Sequence, residues 1–514
     1  MTMLTRSVAE TYHELTKYSP ESIQRPNKID WNHPPDQVKY YATGDVVDLS
    51  HYLTLLERPR TPSATLLAAQ MGADEVSLAQ LSHLLYLTNG VTAVLPHPQR
   101  DFMMRAAPSA GGLYPTELYV VSRGYPGLPD GAYNFQVRDH SLLAFWPGDH
   151  MARLQQACFG HPALAEADLA IVASSVFFRS AWRYQDRAYR RICLDTGHVL
   201  GNLEMAAPWF DRIALPIGGF FDDELNELFF FERGSEEALA VIALPRRDRI
   251  TSAMLAAPTA LASEVELGAS SLPEGYRLSA LHEASKLHAL PGGLPEAPQP
   301  MDEESKERYP FAVAEPLQGL PIDWEQGISD AMIQRRSTRA FSGAALSRLE
   351  LATLLDFTYR PDCSDDPRIN ADPRYFDATM LGTYVAVNDV AGLEPGCYHY
   401  HPGRRELRQI RFKNLSEEVQ YLCLGQELGG KASAVVFHTA NLPAAIERYG
   451  ERAYRYLHLD AGHLGQRLNV ASMQMGIGVS GIGGFFDDEV NELLGIPESE
   501  AVVYITTLGR PAEH

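Results

Sequence analysis

The sequence is poor in several features that fix other classes of protein. Only five of its 514 residues are cysteine (Cys158, Cys193, Cys363, Cys397 and Cys423), and they are scattered, odd in number and without a CxxC pair. That spacing suggests neither a disulfide framework nor a zinc or other metal site, and it fits a reducing compartment. No stretch approaches ~20 uninterrupted apolar residues, and the N-terminus, MTMLTRSVAETYHELTKYS, has no continuous apolar core of the signal-peptide kind. A cytoplasmic location without membrane contact is the expectation. Basic residues are short as well, with 44 Lys and Arg against 65 Asp and Glu and a formal charge of -21. Such a surface repels a phosphate backbone, so nucleic acid is not an expected partner, although a local arginine cluster can still hold one small phosphate. No GxGxxG sequence is evident, so no dedicated dinucleotide-binding domain is expected. What is present is an ordinary globular composition, 45% hydrophobic and 21% charged, in a chain long enough for two or more hydrophobic cores.

The chain also repeats itself. RAYRRICLDTGH (187–198) returns as RAYRYLHLDAGH (452–463), a displacement of 265. In the same register IGGFFDDELNEL (217–228) returns as IGGFFDDEVNEL (482–493), and GLPDGAYNF (127–135) as GLEPGCYHY (392–400). A weaker echo pairs YHELTK (12–17) with LHEASK (281–286). The unit is far longer than a solenoid repeat, so the sequence predicts two whole domains in tandem, 1–250 with an N-terminal extension and 276–514. Residues 251–275, with little charge and no clear amphipathic period, read as the linker. The Pro-rich, acidic stretch 290–322 reads as a loop or extended wrap.

Each unit mixes helix and strand. Apolar residues three and four apart predict helices over 78–90 and 346–360. β-Branched and aromatic runs predict strands at 116–124 and 383–390, each followed by a glycine turn and another strand around Tyr133 or Tyr398, and closing strands at 238–245 and 501–509. Long helices are predicted from Arg187 and Arg452, with Leu194, Gly197, Leu200 and Leu203 along one face of the first. An α+β layered fold results. In the glycine-rich turns after these helices, Gly218, Gly219, Gly481, Gly483 and Gly484 are expected to permit positive φ and close approach of a planar ligand. Asp222, Asp223, Asp487 and Asp488 suit the first turn of the next helix by capping and dipole interactions.

The copies differ in a complementary way. The second carries IQRRSTRAFSGAALSRLE (333–350), in which Arg335, Arg336 and Arg339 surround Ser337 in an otherwise acidic protein. Guanidinium groups beside a hydroxyl can hold a terminal phosphate through charged, partly bidentate hydrogen bonds. The first copy has AAQMGAD (68–74) there, without arginine. The first copy in turn carries a small-residue turn, Pro108, Ser109, Ala110, Gly111 and Gly112, able to approach a flat ring; the second has the bulkier PRYFD (373–377).

With these motifs the chain resembles the nitroreductase superfamily, and within it the SagB/ThcOx-type dehydrogenase branch that includes azoline oxidases. The resemblance covers roughly 75–250 and 330–514, with RRSxR, PSAGGLYP, the RAYRYxxLDAGH helix and GIGGF in family order. It implies a nitroreductase-like fold whose tandem copies form an intramolecular pseudo-dimer around flavin mononucleotide (FMN). Arg335, Arg336, Ser337 and Arg339 would take the phosphate and ribityl end, with Arg510 as a further phosphate candidate. Gly481, Ile482, Gly483 and Gly484 would lie near the ring, and Pro108, Ser109, Ala110 and Gly111 would reach across from the first half. The mirror site lacks arginines at 70–74 and small residues at 374–377, so one FMN per chain is expected.

One departure bears on chemistry. Where azoline-oxidising relatives have a Lys-Tyr pair, this chain has Arg183-Tyr184 and Arg448-Tyr449, and arginine, unlike lysine, stays charged. Tyr184 and Tyr449 are the catalytic candidates as proton donors or relays, although packing is the more ordinary account of them, as of Tyr189 and Tyr454; His198 and His463 suit structural hydrogen bonding. The implied activity is FMN-dependent oxidoreduction, with hydride passing between a small organic or peptide-derived substrate and the flavin, and with NAD(P)H, if used, visiting the same pocket. A non-catalytic flavin-binding or scaffold protein of a biosynthetic complex is the alternative, and peptide recognition through 1–65 and the acidic stretch before 330 is a third. Fusion already supplies the interface of a dimer, which leaves monomer and homo-oligomer both open.

Overall fold

The computed structural model describes residues 6–25, 29–56, 71–98, 101–268, 271–288, 294, 308–324, 327–363 and 366–512. Parts of the N-terminal region, of 68–74 and of the acidic stretch 290–322 therefore lie outside the described residues. Two seven-stranded, wholly antiparallel sheets dominate. The first runs in the order Asp45–Asp48, Ser141–Pro147, Gly131–Gln136, Thr116–Ser122, Leu169–Val176, Glu236–Ala243, Leu215–Ile217. The second repeats it as Val313–Pro316, Glu406–Arg411, Gly396–His401, Leu381–Val387, Ala434–Asn441, Glu500–Gly509, Gly478–Ile482. In both, the strand after the long helix takes the sheet edge and runs directly into the glycine-rich turn. The helices predicted over 78–90 and 346–360 form as Ala73–Asn89 and Arg348–Tyr359, the second begun by a reciprocal Ser347–Glu350 capping box.

The two long helices, Ala188–Ala206 and Ala453–Gln474, pack on one another at the centre of the molecule. A single apolar face was predicted for the first, yet all of its residues are buried, because neighbouring elements and the opposite long helix enclose it on every side. Gly197 and Gly462 mark the crossing. A Cβ added at Gly197 would stand 2.1 Å from the Leu459 carbonyl oxygen, and one at Gly462 would stand 2.2 Å from that of Leu194. Only hydrogen at these positions lets the backbones approach so closely.

Buried charges tie each half to the other by the same rule. Arg187 and Arg190 bind the Asp487 carboxylate at 2.8 and 2.7 Å, and Arg452 and Arg455 bind Asp222 at 2.7 and 3.1 Å. Asp222 and Asp487 thus occupy the first turns of their helices as predicted, but their carboxylates face arginines of the opposite half rather than acting as N-caps. The weak echo near the start of each unit is real: it forms the helices Val8–Leu15 and Arg277–Ala284. Each docks on the far half, where Glu451 accepts from the Val8 and Ala9 amides and Asp186 from the Gly275 and Arg277 amides. The segment expected to be a connection is itself packed: Leu261 is buried against Gly219, and the Ser263 amide donates to the Tyr449 carbonyl. Among the described residues no helix is long and apolar enough to cross a membrane.

Candidate active site

Between the halves lies a cavity of about 310 Å³. The first half contributes Pro108, Ser109, Ala110 and Gly111 from the small-residue turn, and Arg191, Leu194, Asp195 and His198 from the long helix. The second contributes Arg335, Ser337 and Arg339 from the arginine segment, Gly481 and Gly483 from the glycine turn, and Asn469 and Tyr504. The segments around Ser109 and Ser337, separated by more than two hundred residues of chain, therefore face one space.

Local chemistry shapes each wall. Gly111 and Gly112 both have φ of 64°, a left-handed conformation that costs glycine nothing and folds the turn back on itself. The turn is pinned by Asp195, which accepts from the Ser109 hydroxyl at 2.5 Å and the Ala110 amide at 3.1 Å, while the Ser109 oxygen accepts from the Tyr114 amide at 2.9 Å. The Ser109 hydroxyl proton is thus committed to the protein rather than exposed to a ligand. Burial pushes the Asp195 carboxyl up to about 7 against those hydrogen bonds and the nearby Arg191. The glycines of the second turn, and Gly218 and Gly219 in the first half, do not use positive φ, contrary to expectation. They are needed for space: a Cβ at Gly483 would lie 2.3 Å from Arg191 Nη1, and one at Gly481 would lie 1.9 Å from Tyr504 Oη.

The arginines divide. Arg335 is buried, donates to the carbonyls of Ala106 and Arg105 at 2.7 and 3.2 Å, and is pulled down to about 10 by burial, with Arg336 and Arg339 beside it. Its surroundings therefore favour an added anion. Arg336 turns aside to clamp the Thr92 carbonyl of the first half at 3.2 Å. Arg510 binds Glu350 at 2.6 Å, Ile482 lies in the second-half core, and Gly484 packs on Leu424; these four lie outside the cavity lining.

Arg191 was not singled out in the sequence, although it is the one residue by which RAYRR departs from RAYRY. It is buried, its Nε has no protein partner, and its guanidinium stacks 3.9 Å from the centre of the Tyr184 ring. Tyr184 stands behind the turn, with its hydroxyl 2.8 Å from where a Gly111 Cβ would be. Burial holds that hydroxyl above its ordinary value despite Arg191 and Arg183. His198 accepts at Nε2 from Tyr504 at 3.1 Å and donates at Nδ1 to the Leu194 carbonyl at 2.8 Å, and burial draws it down to about 4, so it is neutral.

The mirror position is closed, with about 10 Å³ remaining among Glu204, Tyr375, Phe376, Asp460 and His463. Tyr456, in the register of Arg191, lies with Phe376 over Gly218, and the two rings stack at 5.2 Å. Glu204 and Arg467 fill the rest with an ion pair at 2.9 Å. Asp460 repeats the role of Asp195, accepting from the Phe376 and Asp377 amides at 3.0 and 2.7 Å. Tyr449 belongs to this closed side, where its hydroxyl donates to Asp377 at 2.8 Å. His463 likewise lies here, 3.4 Å from Glu204.

A family model described as the Nitroreductase family matches residues 72–244 and 332–510. A protein of Methanocaldococcus jannaschii that carries the nitroreductase name is 31% identical over 179 residues, covering 35% of this chain and 89% of the relative. The trifolitoxin-processing protein TfxB of Rhizobium leguminosarum bv. trifolii is 31% identical over 140 residues, covering 26% of this chain and 38% of the relative. A solved structure from Anabaena variabilis, also named as a nitroreductase, superposes with a TM-score of 0.90 at 47% identity, covering 99% of this chain and 100% of that one.

Proposed function

Because the chain belongs to the nitroreductase family, and its two halves build one open cavity and one closed mirror of it, we propose that this oxidoreductase binds a single FMN between its halves. The observation that carries the reading is the juxtaposition of Arg335, Ser337 and Arg339 from one half with the Pro108–Gly111 turn of the other. Arg335, Ser337 and Arg339 would hold the phosphate, and the turn, with Gly481 and Gly483, would hold the ring. The donor set fits: a buried arginine favours an anion, and side-chain-free backbone on two sides admits a flat ring. Bound FMN supplies the redox chemistry, taking up a hydride from one substrate and passing it to another.

The protein's part is orientation, charge and protons. Asp195 fixes the turn through Ser109 and Ala110, so the wall it forms is rigid. Arg191 presents a buried cation with an unpaired donor, suited to an anionic group on the substrate or to negative charge gained on reduction. On the open side Tyr184, protonated at neutral pH, stays the candidate proton donor although it stands behind the turn and outside the cavity lining; Tyr449, bonded to Asp377 on the closed side, is not a candidate. Arg183 keeps its charge and supplies no base, which argues against an azoline-oxidase step at this position. The similarity to a trifolitoxin-processing protein favours a peptide-derived substrate over a free nitroaromatic one. With no separate nicotinamide-binding motif, NAD(P)H would enter the same cavity and leave before the acceptor.

The test is reconstitution of the whole chain with FMN, followed by absorbance. The expected result is a yellow protein with one flavin per chain, at least tenfold weaker binding in Arg335→Ala, and flavin bleaching on anaerobic addition of NAD(P)H or an oxidisable substrate. A colourless protein that takes up no FMN would sink the proposal. Flavin that binds and is reduced by neither kind of donor would instead favour a scaffold role.

A further inference from the structure

Every other buried arginine among the described residues donates to a protein acceptor, whether a carboxylate, as Arg179 does to Glu117 and Arg467 to Glu204, or a carbonyl, as Arg105 and Arg335 do. Arg191 does not. It is 6% exposed, yet it forms no ion pair and no hydrogen bond, and a buried cation left so is costly. Only its Nε is sealed. The two Nη groups open on the cavity between the halves and lie against the glycine turn, with Nη1 2.3 Å from where a Gly483 Cβ would be. Tyr184 stacks on the guanidinium and takes none of its N–H groups. Asp195, one turn further along the helix, feels the charge, but its oxygens are engaged by the Ser109 hydroxyl and the Ala110 amide.

The closed side shows what meets this position there. Tyr456 stands in the register of Arg191, and its hydroxyl is held by the segment that joins the halves. The Leu261 amide donates to that hydroxyl at 3.2 Å, and the Leu261 carbonyl lies 3.0 Å from it. Beside it the Gly218 amide, counterpart of Gly483, donates to the Thr259 carbonyl at 2.7 Å. Peptide backbone from outside both matched units thus fills the space over Tyr456. No described residue meets Arg191 in this way, and a cation stands where the closed side has a neutral hydroxyl.

We infer that Arg191 determines substrate specificity by engaging a carboxylate on a peptide-derived substrate through its open Nη groups, beside the ring. The inference rests on the proposed function and narrows it to an anionic substrate. The planar fork of a guanidinium matches the two oxygens of a carboxylate, and carboxylate is the form in which an unmodified peptide carries negative charge, at its C-terminus or on an acidic side chain. The FMN phosphate is provided for by Arg335, Ser337 and Arg339, which come from the other half.

The experiment is calorimetric titration of the FMN-treated full chain with benzoate and with benzamide, its neutral counterpart. Benzoate is expected to bind roughly tenfold more tightly, a preference lost in Arg191→Tyr and kept in part by Arg191→Lys, which retains the charge without the fork. Should Arg191→Tyr fail to fold, Arg191→Gln is read in its place. Acetyl-triglycine with a free C-terminus and acetyl-glycyl-glutamyl-glycine amide are then used to displace benzoate, and the one that succeeds names the source of the carboxylate. The flavin content of each sample is read first by absorbance. A chain without flavin counts against the proposed function, whereas the dependence of the benzoate preference on Arg191 decides this inference with or without flavin. Equal binding of benzoate and benzamide, a preference kept in Arg191→Tyr but lost in Arg335→Ala, or displacement by neither peptide would overturn it.

Discussion

Gly462→Ala is the sharpest test of how the halves meet. In a helix interior alanine is favoured over glycine by about 1 kcal/mol, so a methyl group with room around it would stabilise the protein. Here the new carbon would fall 2.2 Å from the Leu194 carbonyl oxygen and 3.1 Å from Gly197 Cα, against backbone that cannot rotate away. An ordinary contact needs roughly 3.5 Å, so the long helices would have to part by about 1 Å, enough to forfeit a quarter to a half of each dispersion contact along their seam. Overpacking of this kind costs about 1–3 kcal/mol, and a backbone clash belongs at the upper end, which leaves a net loss of about 2 kcal/mol after the propensity gain. The measurement is urea denaturation followed by circular dichroism, together with FMN titration, because Leu194, Asp195 and His198 on one long helix and Asn469 on the other line the shared cavity. A lower midpoint and weaker FMN binding are expected. An unchanged or higher midpoint would mean that the helices do not cross where these glycines stand.

Three other predictions concern buried charge. The folded Asp195 and Asp460 carboxyls, pushed up to about 7 and about 8 by burial, lie above the ordinary aspartate value of about 3.9, so their contribution to stability is full below about pH 4 and is lost as pH rises through 7 to 8. Asp195→Asn should flatten the fall in urea midpoint between pH 5 and 8, and adding Asp460→Asn should flatten it further; an unaltered slope would refute the assignment. Arg191→Tyr, which copies the residue of the closed side, should keep the fold but lower the flavin midpoint potential by about 30–60 mV on spectroelectrochemical titration, the range of one to two 1.4 kcal/mol steps for a two-electron couple; an unchanged potential would put the guanidinium away from the ring. Asp222→Asn should destabilise by about 3–5 kcal/mol in denaturation, because it strands Arg452 and Arg455 without their carboxylate in a dry interior.

How far the sequence could be read depended on whether a feature was local. The displacement of 265 relates the strands from Thr116 onward and the long helices of the two halves, and even the faint YHELTK and LHEASK echo marked true equivalent helices. Arg335, Ser337 and the Pro108–Gly111 turn could be found because each is a short run whose chemistry contrasts with its counterpart. The helices of the echo dock on the opposite half through partners more than four hundred residues away in the case of Glu451 and Val8, which no local pattern encodes. Asp195 sat inside a motif retained in both copies and so carried no contrast, although its carboxylate pins the turn. Arg191 did carry contrast, as one letter of a matched repeat, and comparing the copies position by position would have found it.

Fusion explains which differences the molecule tolerates. In a symmetric pair of identical chains every substitution is made twice, so a residue that closes one site closes both. Joining the copies frees each position from its twin, and some of the pairs at the open cavity and its closed mirror have diverged accordingly: Arg191 against Tyr456, Gly111 against Phe376. Residues at the crossing are not free in this way. Gly197 needs Gly462 to be small, and Arg187 with Asp487 and Arg452 with Asp222 hold the two ends of one seam. The crossing is therefore held identical between the halves, while the cavity walls mix retained residues such as Asp195 with diverged ones such as Arg191. In this chain a mismatch between copies is thus a guide to chemistry, as Arg191 against Tyr456 shows.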